Sequence, residues 1–195
     1  MAVLVNVTVD DAGQDSYTGA QIIYSPANAW SLGPLCKDCT AHPDPGSTFN
    51  GTWHDGFFDP ATNTVLNASF QFEGTSRSNT LRVELFMFST GSALYVNCIT
   101  SNSSFNPAGF TDLVFFLDGH LVGIFTDPLK RNQTYAYNVT VYSNSSIPPG
   151  QHTFVMQNGQ LQAPGSLALL DSITYTYVFT MLHSVQIYSY LPKTA

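Results

Sequence analysis

The chain has 195 residues, of which 44% are hydrophobic and 10% are charged, and its formal net charge is −7. This length suits one domain with a sizeable core. Six Lys and Arg residues are too few for a basic patch, which argues against nucleic acid and anionic membrane surfaces as partners. No apolar run approaches the roughly 18 residues of a membrane-spanning helix, so no membrane span is expected in this chain.

The first segment, MAVLVNVTVDD, predicts a β-strand. Val occupies every second position from 3 to 9, and most of the residues between are polar. This alternation is typical of an antiparallel strand with one buried face. The segment lacks the basic and apolar regions of a signal peptide. The chain is therefore either cytosolic or a mature chain that carries an added start Met.

Aspartates follow this strand closely at Asp10, Asp11 and Asp15, and Asp171 lies at the start of the last predicted strand. The first and last strands of jelly-roll modules are often neighbours, which would bring these side chains together. Oxygen ligands in this number suit Ca²⁺, so a structural calcium site is one prediction. The alternative is that Asp10 and Asp11 cap a turn, as Asp commonly does.

The cysteines Cys36 and Cys39 form a C-x-x-C pattern in loop sequence, between Gly-Pro and His-Pro-Asp-Pro. A redox motif would be expected to open a helix, and a zinc site would need a second ligand pair. A loop disulfide between Cys36 and Cys39 is therefore predicted, with Cys98 as a buried free thiol. A long-range bridge to Cys98 is the main alternative.

The stretch GTWHDG places Trp53, His54 and Asp55 side by side. An aromatic face and planar polar groups are what sugar binding needs, and Trp30 and Tyr24 could add to them. On a strand, however, Trp53 and Asp55 share one face and His54 takes the other. The alternative is that Trp53 belongs to the core and Asp55 accepts hydrogen bonds from loop amides. His54 is then the most exposed of the three.

Further strands are predicted over 20–24, 66–72, 81–88, 93–99, 113–117, 120–125, 135–141, 152–156 and 167–177. The dipeptide Asp118-Gly119 predicts a two-residue hairpin, because both central positions of a type I′ turn need positive φ. About ten short strands indicate an all-β, antiparallel β-sandwich of the jelly-roll type. The domain is predicted to span 1–177, with 62–80 as a candidate inserted hairpin and 178–195 as an added edge strand or a stalk.

The sequon Asn-x-Ser/Thr occurs seven times, where roughly three are expected by chance. In three of the predicted strands the sequon Asn falls on the polar face, where a glycan could project into solvent. The pattern favours a secreted glycoprotein. The predicted glycosylation sites are Asn6, Asn50, Asn67, Asn102, Asn132, Asn138 and Asn144.

Catalytic signals are weak. A glycosidase usually needs two carboxylates across a cleft, and the chain has only two Glu, Glu73 and Glu84. Asp55 and Asp59 lie near His54, but adjacent strand residues point to opposite faces. Motifs of serine hydrolases, zincins and nucleotide-binding proteins are absent from the sequence. We therefore predict that the chain is not an enzyme.

Several phrases, in order, carry a resemblance to a known family. VTVDDAGQDSYTGAQIIYSP is followed by Trp30, the two loop cysteines and PDPGSTFNGTWHD, and later by FSTGSALYV, FFLDGHLVGIFT, YNVTVYSNSSIPPGQHTFVMQ and LALLDSITY. Over residues 5–177 the chain resembles the galactose-binding-like jelly-roll ectodomains of basidiomycete fungi, which are secreted or membrane-anchored.

The resemblance implies a function as well as a fold, although function does not follow from fold alone. We expect an extracellular, lectin-like module that recognises carbohydrate, in particular cell-wall glycans. The alternatives are a structural or adhesive surface domain that makes protein contacts, and a glycoside hydrolase or lyase on the same scaffold.

Overall fold

A computed structural model describes residues 2–39, 41–74, 92–101, 110–128 and 135–180. Within these ranges the chain forms two antiparallel sheets and short 3₁₀ turns. The strands, numbered in chain order, are β1 Ala2–Asp10, β2 Ile23–Ser25, β3 Trp30–Leu32, β4 His54–Phe58, β5 Leu66–Glu73, β6 Ser92–Ser101, β7 Thr111–Leu117, β8 His120–Asp127, β9 Tyr135–Ile147, β10 Gln151–Asn158 and β11 Ser166–Thr180.

The larger sheet has six strands and is organised around the long strand β11. Its order is β3-β4-β11-β6-β9, and β1 also pairs with β11. β4 pairs with the first part of β11, up to the pair of His54 with Leu170. β1 pairs with the later part of β11, from the pair of Asp10 with Ser172 onward. Asp171 lies between these two pairs, at a register shift in the pairing of β11 with β6. The ends of β1 and β4 therefore meet beside Asp171.

The smaller sheet has five strands in the order β2-β5-β10-β7-β8. The predicted hairpin joins β7 to β8, and Asp118 and Gly119 have φ of 52° and 78°. Both values are positive, as this turn requires. β5 lies between β2 and β10 as an integral strand of the sheet. Residues 75–91 lie outside the described part of the chain, so the hairpin proposed over 62–80 stays a prediction.

Strand alternation divides the apolar side chains between two clusters. The main core fills the space between the sheets and includes Phe58, Phe70, Leu94, Phe154 and Tyr175. A second, smaller cluster lies on the outer face of the six-stranded sheet and consists of Ala41, Trp53, Ile99, Leu167 and Leu169. The loop over residues 33–47 contributes Ala41 to this cluster. This loop thus lies against an outer sheet face that would otherwise expose a tryptophan.

The observed fold confirms the predicted all-β jelly-roll sandwich, with differences at individual strands. The strand predicted over 20–24 is shorter and later, at Ile23–Ser25. The last strand continues to Thr180, beyond its predicted end. Residues 181–195 and the strand predicted over 81–88 lie outside the described ranges. The role of the C-terminal tail therefore stays a prediction.

Candidate functional site

The residues of GTWHDG alternate between the two faces of the six-stranded sheet, as predicted. Trp53 is 2% exposed and Asp55 is 6% exposed, and both lie on the outer side, towards the loop over 33–47. His54 lies on the other side and is half-buried. Trp53 is therefore a packed residue, as the alternative interpretation held, but it packs in the second cluster and not between the sheets.

Two buried polar atoms on this outer side have no hydrogen-bond partner among the described residues. They are Nε1 of Trp53 and Oδ2 of Asp55. Burial raises the pKa of Asp55 to about 6, because a charged carboxylate loses its hydration there. The expectation that loop amides donate hydrogen bonds to Asp55 is wrong for its Oδ2 atom, which receives none. Such unsatisfied groups are uncommon in folded proteins and mark a site that needs an explanation.

An open cleft of about 360 Å³ lies directly beside Trp53. One wall comes from the segment that carries Cys36 and Lys37, and the other from the segment that begins at His42. The cleft is lined by Gly33, Pro34, Cys36, Lys37, His42, Pro43, Pro45 and Trp53. Its prolines give it apolar walls, and Lys37 and His42 add hydrogen-bonding groups.

The first wall of the cleft is braced internally by a disulfide, and it is attached to the sheet at Gly33, whose amide donates to the carbonyl of Trp53 at 2.8 Å. Cys36 and Cys39 are bonded, with their Cα atoms 5.4 Å apart, which confirms the predicted loop disulfide and excludes the bridge to Cys98. Cys98 is a buried free thiol, as expected. A Cβ at Gly33 would lie 2.0 Å from Cε2 and Nε1 of Trp53, so only glycine lets this wall approach the indole.

The second wall is held by two tyrosines of β9. The amide of His42 donates to the hydroxyl of Tyr135 at 2.7 Å, and the amide of Asp44 donates to that of Tyr137 at 2.8 Å. Both rings also pack against the second cluster. Both walls of the cleft are therefore tied to the sandwich independently of any ligand.

A second group of polar residues forms where β1 and β4 end. The buried carboxylate of Asp11 accepts from Nδ1 of His54 at 2.6 Å and from Oγ1 of Thr52 at 2.6 Å. The carboxylate of Asp10 lies 3.2 Å from the same hydroxyl, and Asp171 accepts from the amide of Phe49 at 2.8 Å. We call Asp10, Asp11, Thr52, His54 and Asp171 the acidic junction.

The acidic junction holds more acceptors than donors. The single hydroxyl proton of Thr52 serves two carboxylates, Asp10 and Asp11. Burial, and then the neighbouring charge of Asp11, raises the pKa of Asp10. Burial raises the pKa of Asp171 to about 6, and the charges of Asp11 and Asp10 add to the effect. The junction therefore favours an added proton or another positive charge.

Asp15 does not belong to this junction, although the sequence grouped it with Asp10 and Asp11. Its carboxylate accepts from the hydroxyl of Tyr175 and from the amides of Tyr17 and Thr18. Burial opposes ionisation, but the hydrogen bonds, that of Tyr175 foremost, lower the pKa of Asp15. Asp15 turns away because the chain reverses between residues 15 and 20, where the Asp15 amide donates to the Ala20 carbonyl.

The predicted sugar-binding residues are likewise divided between two places. Tyr24 stacks on His54 with ring centroids 3.9 Å apart, and its hydroxyl donates to the carbonyl of Asp11. Trp30 is buried in the main core near Tyr24, with its ring against Gly56. Trp53 and Asp55 lie on the opposite side of the sheet, so the five residues do not form one site.

The hydrogen bond between His54 and Asp11 is not predicted by any pattern in the sequence. The two residues are 43 positions apart, and they meet only because β1 and β4 pair with consecutive parts of β11. The carboxylates considered for catalysis do not form such a pair. Asp59 caps a turn by accepting from the amide of Ala61, and Glu73 is exposed at the end of β5. Glu84 lies outside the described residues.

Among the residues that the structure describes, no three His, Cys, Asp or Glu side chains are arranged to share a metal ion. In the same part of the chain, no helix has the length and apolar character needed to cross a membrane. Of the predicted glycosylation sites, Asn6, Asn50 and Asn138 are exposed, and Asn67 and Asn144 are half-buried. Asn102 and Asn132 lie outside the described ranges.

The chain is similar to several solved structures. No family model matches, and no curated protein matches. A Podospora anserina GH26-CBM35 β-(1,4)-mannanase aligns with 92% of this chain, at 14% identity and a TM-score of 0.43, and the chain spans 29% of that enzyme. Because the identity and TM-score are this low, no function is transferred from the mannanase.

Two carbohydrate-binding modules are similar at comparable levels. A family 35 module from Clostridium thermocellum aligns with 80% of this chain and 97% of its own, at 15% identity and a TM-score of 0.38. A CBM35 from Paenibacillus barcinonensis aligns with 86% of this chain and 96% of its own, at 11% identity and a TM-score of 0.38.

Proposed function

We propose that this chain is an extracellular, non-catalytic module that recognises carbohydrate, such as a cell-wall glycan. The observation that supports this proposal is the open cleft beside Trp53. One wall is attached by the hydrogen bond from the Gly33 amide to the Trp53 carbonyl and braced internally by the Cys36–Cys39 disulfide, and the other is attached by the β9 tyrosines. Binding sites for small ligands are usually concave, largely pre-formed and mostly apolar, with a few polar groups. The excess of sequons supports the extracellular setting.

Binding in this cleft would not depend on stacking against Trp53. The indole is almost fully buried and Gly33 lies against it, so its faces are not available. The available groups are the proline surfaces and the donors of Lys37 and His42. Lys37 is the only Lys or Arg in the described part of a chain with net charge −7. We therefore expect a sugar held by hydrogen bonds from donors at the cleft rim.

The test is binding of the full chain to an array of plant and fungal oligosaccharides, followed by calorimetry on each hit. We expect Lys37→Gln and His42→Ala to weaken binding about tenfold each, the factor expected for lost hydrogen bonds of this kind. His120→Ala, at the exposed hairpin turn, is the matched control. A blank array would overturn the proposed function. Binding that ignores both cleft variants would overturn the site.

An adhesive role is the second candidate, and the edge strand β8 favours it. Leu121 and Ile124 are both 60% exposed, and β8 pairs only with β7 among the described strands. Exposed apolar edge strands are sites for pairing with another chain. Leu121→Lys would block such pairing. If it abolished self-association, measured by sedimentation, while glycan binding was absent, the adhesive role would replace the lectin role.

Calcium also stays a proposal. Asp10, Asp11 and Asp171 are not arranged to share an ion in the described structure, so they would have to draw together around Ca²⁺, with backbone oxygens in addition. The shortage of donors for their carboxylates is what would favour this binding. We expect millimolar Ca²⁺ to raise the unfolding temperature of the wild-type chain and not of Asp171→Ala. Asp15→Ala should keep the response, since Asp15 lies outside the junction. An EDTA-insensitive unfolding temperature would contradict the proposal.

A further inference from the structure

Within the described part of the chain, the outer face of the six-stranded sheet has a covered half and a bare half. The loop over 33–47 and the second cluster occupy the half beside β4. The other half, which we call the bare face, presents uncharged side chains from four paired strands. They are Asn6 and Thr8 of β1, Thr174 and Thr176 of β11, Tyr95 and Asn97 of β6, and Thr140 and Ser143 of β9.

These side chains form a continuous array across the strands. The hydroxyls of Thr8 and Thr174 lie 2.9 Å apart, and Thr140 donates to Oδ1 of Asn97 at 2.9 Å. Tyr95, opposite both Thr174 and Ser143, is 36% exposed and makes no hydrogen bond to the described residues. The bare face therefore offers one aromatic ring surrounded by hydroxyl and amide groups, which is the chemistry that suits a sugar.

A sequon lies on this face itself. Asn6 and Thr8 are the first and third residues of Asn-Val-Thr, and both are exposed on β1. Oδ1 of Asn6 accepts from Oγ1 of Thr176 at 3.1 Å, whereas Nδ2 has no partner among the described residues. Asn6 and Tyr95 are two strands apart and two residues out of register, a Cα separation of about 12 Å. The first sugars of an N-glycan span such a distance.

We propose that Asn6 carries an N-glycan whose first sugars lie across the bare face and cover Tyr95. The donor is an oligosaccharide joined through its anomeric carbon to a lipid diphosphate. Nδ2 of Asn6 loses a proton and bonds to the anomeric carbon, the bond from that carbon to the diphosphate oxygen breaks, and the lipid diphosphate leaves. Asn138, whose sequon ends in Thr140, borders the same face from β9. The bare face would thus be occupied by the chain's own carbohydrate.

The experiment compares full-length chains produced in a eukaryotic secretory host. Glycopeptide mass spectrometry measures occupancy at Asn6, and hydroxyl-radical footprinting measures the oxidation rate of Tyr95. In Asn6→Gln we expect Tyr95 to be oxidised several-fold faster than in the wild type, because the rate of radical attack follows the solvent access of the ring and the glycan no longer covers it. Tyr17, which is 54% exposed in a separate loop, is the internal reference.

Asn67→Gln is the matched control, because Asn67 lies on β5 in the five-stranded sheet, whereas Tyr95 lies on the six-stranded sheet, so its loss should leave Tyr95 unchanged. If Asn6→Gln does not fold, Thr8→Val removes the same sequon and leaves Asn6 in place. A glycan at Asn50 with none at Asn6 would overturn the inference. Equal oxidation of Tyr95 with and without the Asn6 glycan would also overturn the inference. This is the result expected if a protein partner covers the face or if nothing covers it. A secreted chain without any glycan would contradict the glycoprotein assignment itself, while glycan-array binding could still succeed.

Discussion

Asp55 shows how one buried carboxylate is linked to stability. Its pKa rises from about 3.9 in an unfolded chain to about 6 in the fold, because burial removes water and Oδ2 gains no donor. At pH 7 the folded chain must therefore keep a charge that is better hydrated after unfolding. This cost begins as the pH rises above the pKa that Asp55 has in the unfolded chain. It reaches its full size above the pKa that Asp55 has in the folded chain.

The substitution Asp55→Asn should therefore stabilise the chain. We expect the free energy of unfolding at pH 7 to rise by about 1–2 kcal/mol, less than the full shift implies because the new amide also lacks a partner. At pH 3, where the carboxyl is protonated in both states, the gain should vanish. Urea unfolding at the two pH values measures this, with exposed Asp38→Asn as control. Equal destabilisation at both pH values would show that Asp55 is needed as an acceptor.

Gly33 sets the contact between the disulfide loop and Trp53. A Cβ there would lie 2.0 Å from the indole, so Gly33→Ala must displace the loop wall or the ring. We expect a loss of about 1–3 kcal/mol in the free energy of unfolding, as for other overpacked sites. Acrylamide should also quench tryptophan fluorescence more strongly.

Gly46→Ala is the control for this prediction. It lies in the same loop, and its nearest contact would be 3.4 Å from a carboxylate oxygen of Asp44. It should change neither the free energy of unfolding nor the quenching. If the two variants behaved alike, the close approach of Gly33 to Trp53 would not be limiting.

At the scale of elements, β7 pairs with β10 within the sheet, and His152 of β10 additionally anchors the turn of the β7–β8 hairpin. Nδ1 of His152 lies 2.7 Å from a carboxylate oxygen of Asp118, and Nε2 lies 2.8 Å from the carbonyl of Pro148. The other carboxylate oxygen of Asp118 accepts from the amide of Thr153. The hydrogen bond from His152 lowers the pKa of Asp118. The turn is thus held at its first residue.

We expect His152→Phe to lower the free energy of unfolding by about 1–3 kcal/mol, because it removes the polar contacts that the buried ring makes with Asp118 and Pro148. Hydrogen exchange should accelerate at the amides of Asp118 and Thr153, which both take part in bonds at this turn. His120→Phe, on the exposed side of the same hairpin, should leave exchange unchanged. Unaltered hydrogen exchange in His152→Phe would mean that the turn keeps its conformation without the contact from His152.

The elements were far easier to predict than the site. Local patterns predicted the hairpin at Asp118-Gly119, the strand alternation around Trp53 and the loop disulfide, because each depends on neighbouring residues. The division of the outer sheet face could not be predicted, since it depends on which strand pairs with β11 and where. The same holds for Asp11 with His54, and for Asp15 with Tyr175 across 160 positions.

For the molecule as a whole, four aspartates with shifted pKa values, Asp55, Asp171, Asp118 and Asp15, determine how stability depends on pH. Asp55 and Asp171 have pKa values raised to about 6, so the folded chain binds more protons than the unfolded one between about pH 4 and 6. Stability must therefore fall as the pH rises through this window. The pKa values of Asp118 and Asp15 are lowered instead, and the stability that they contribute is lost as the pH falls below about 4.

Maximum stability is therefore expected near pH 4–5, on the acidic side of neutrality. Urea unfolding from pH 3 to 8 would measure this profile. The double variant Asp55→Asn/Asp171→Asn should flatten the decline above pH 4, and it should leave the acid limb intact because Asp118 and Asp15 are unchanged. Millimolar Ca²⁺ should flatten the remaining decline in Asp55→Asn, where Asp171 and Asp10 keep raised pKa values, if the ion binds at the acidic junction. A profile with its maximum above pH 7 would show that both carboxylates ionise in the fold without cost.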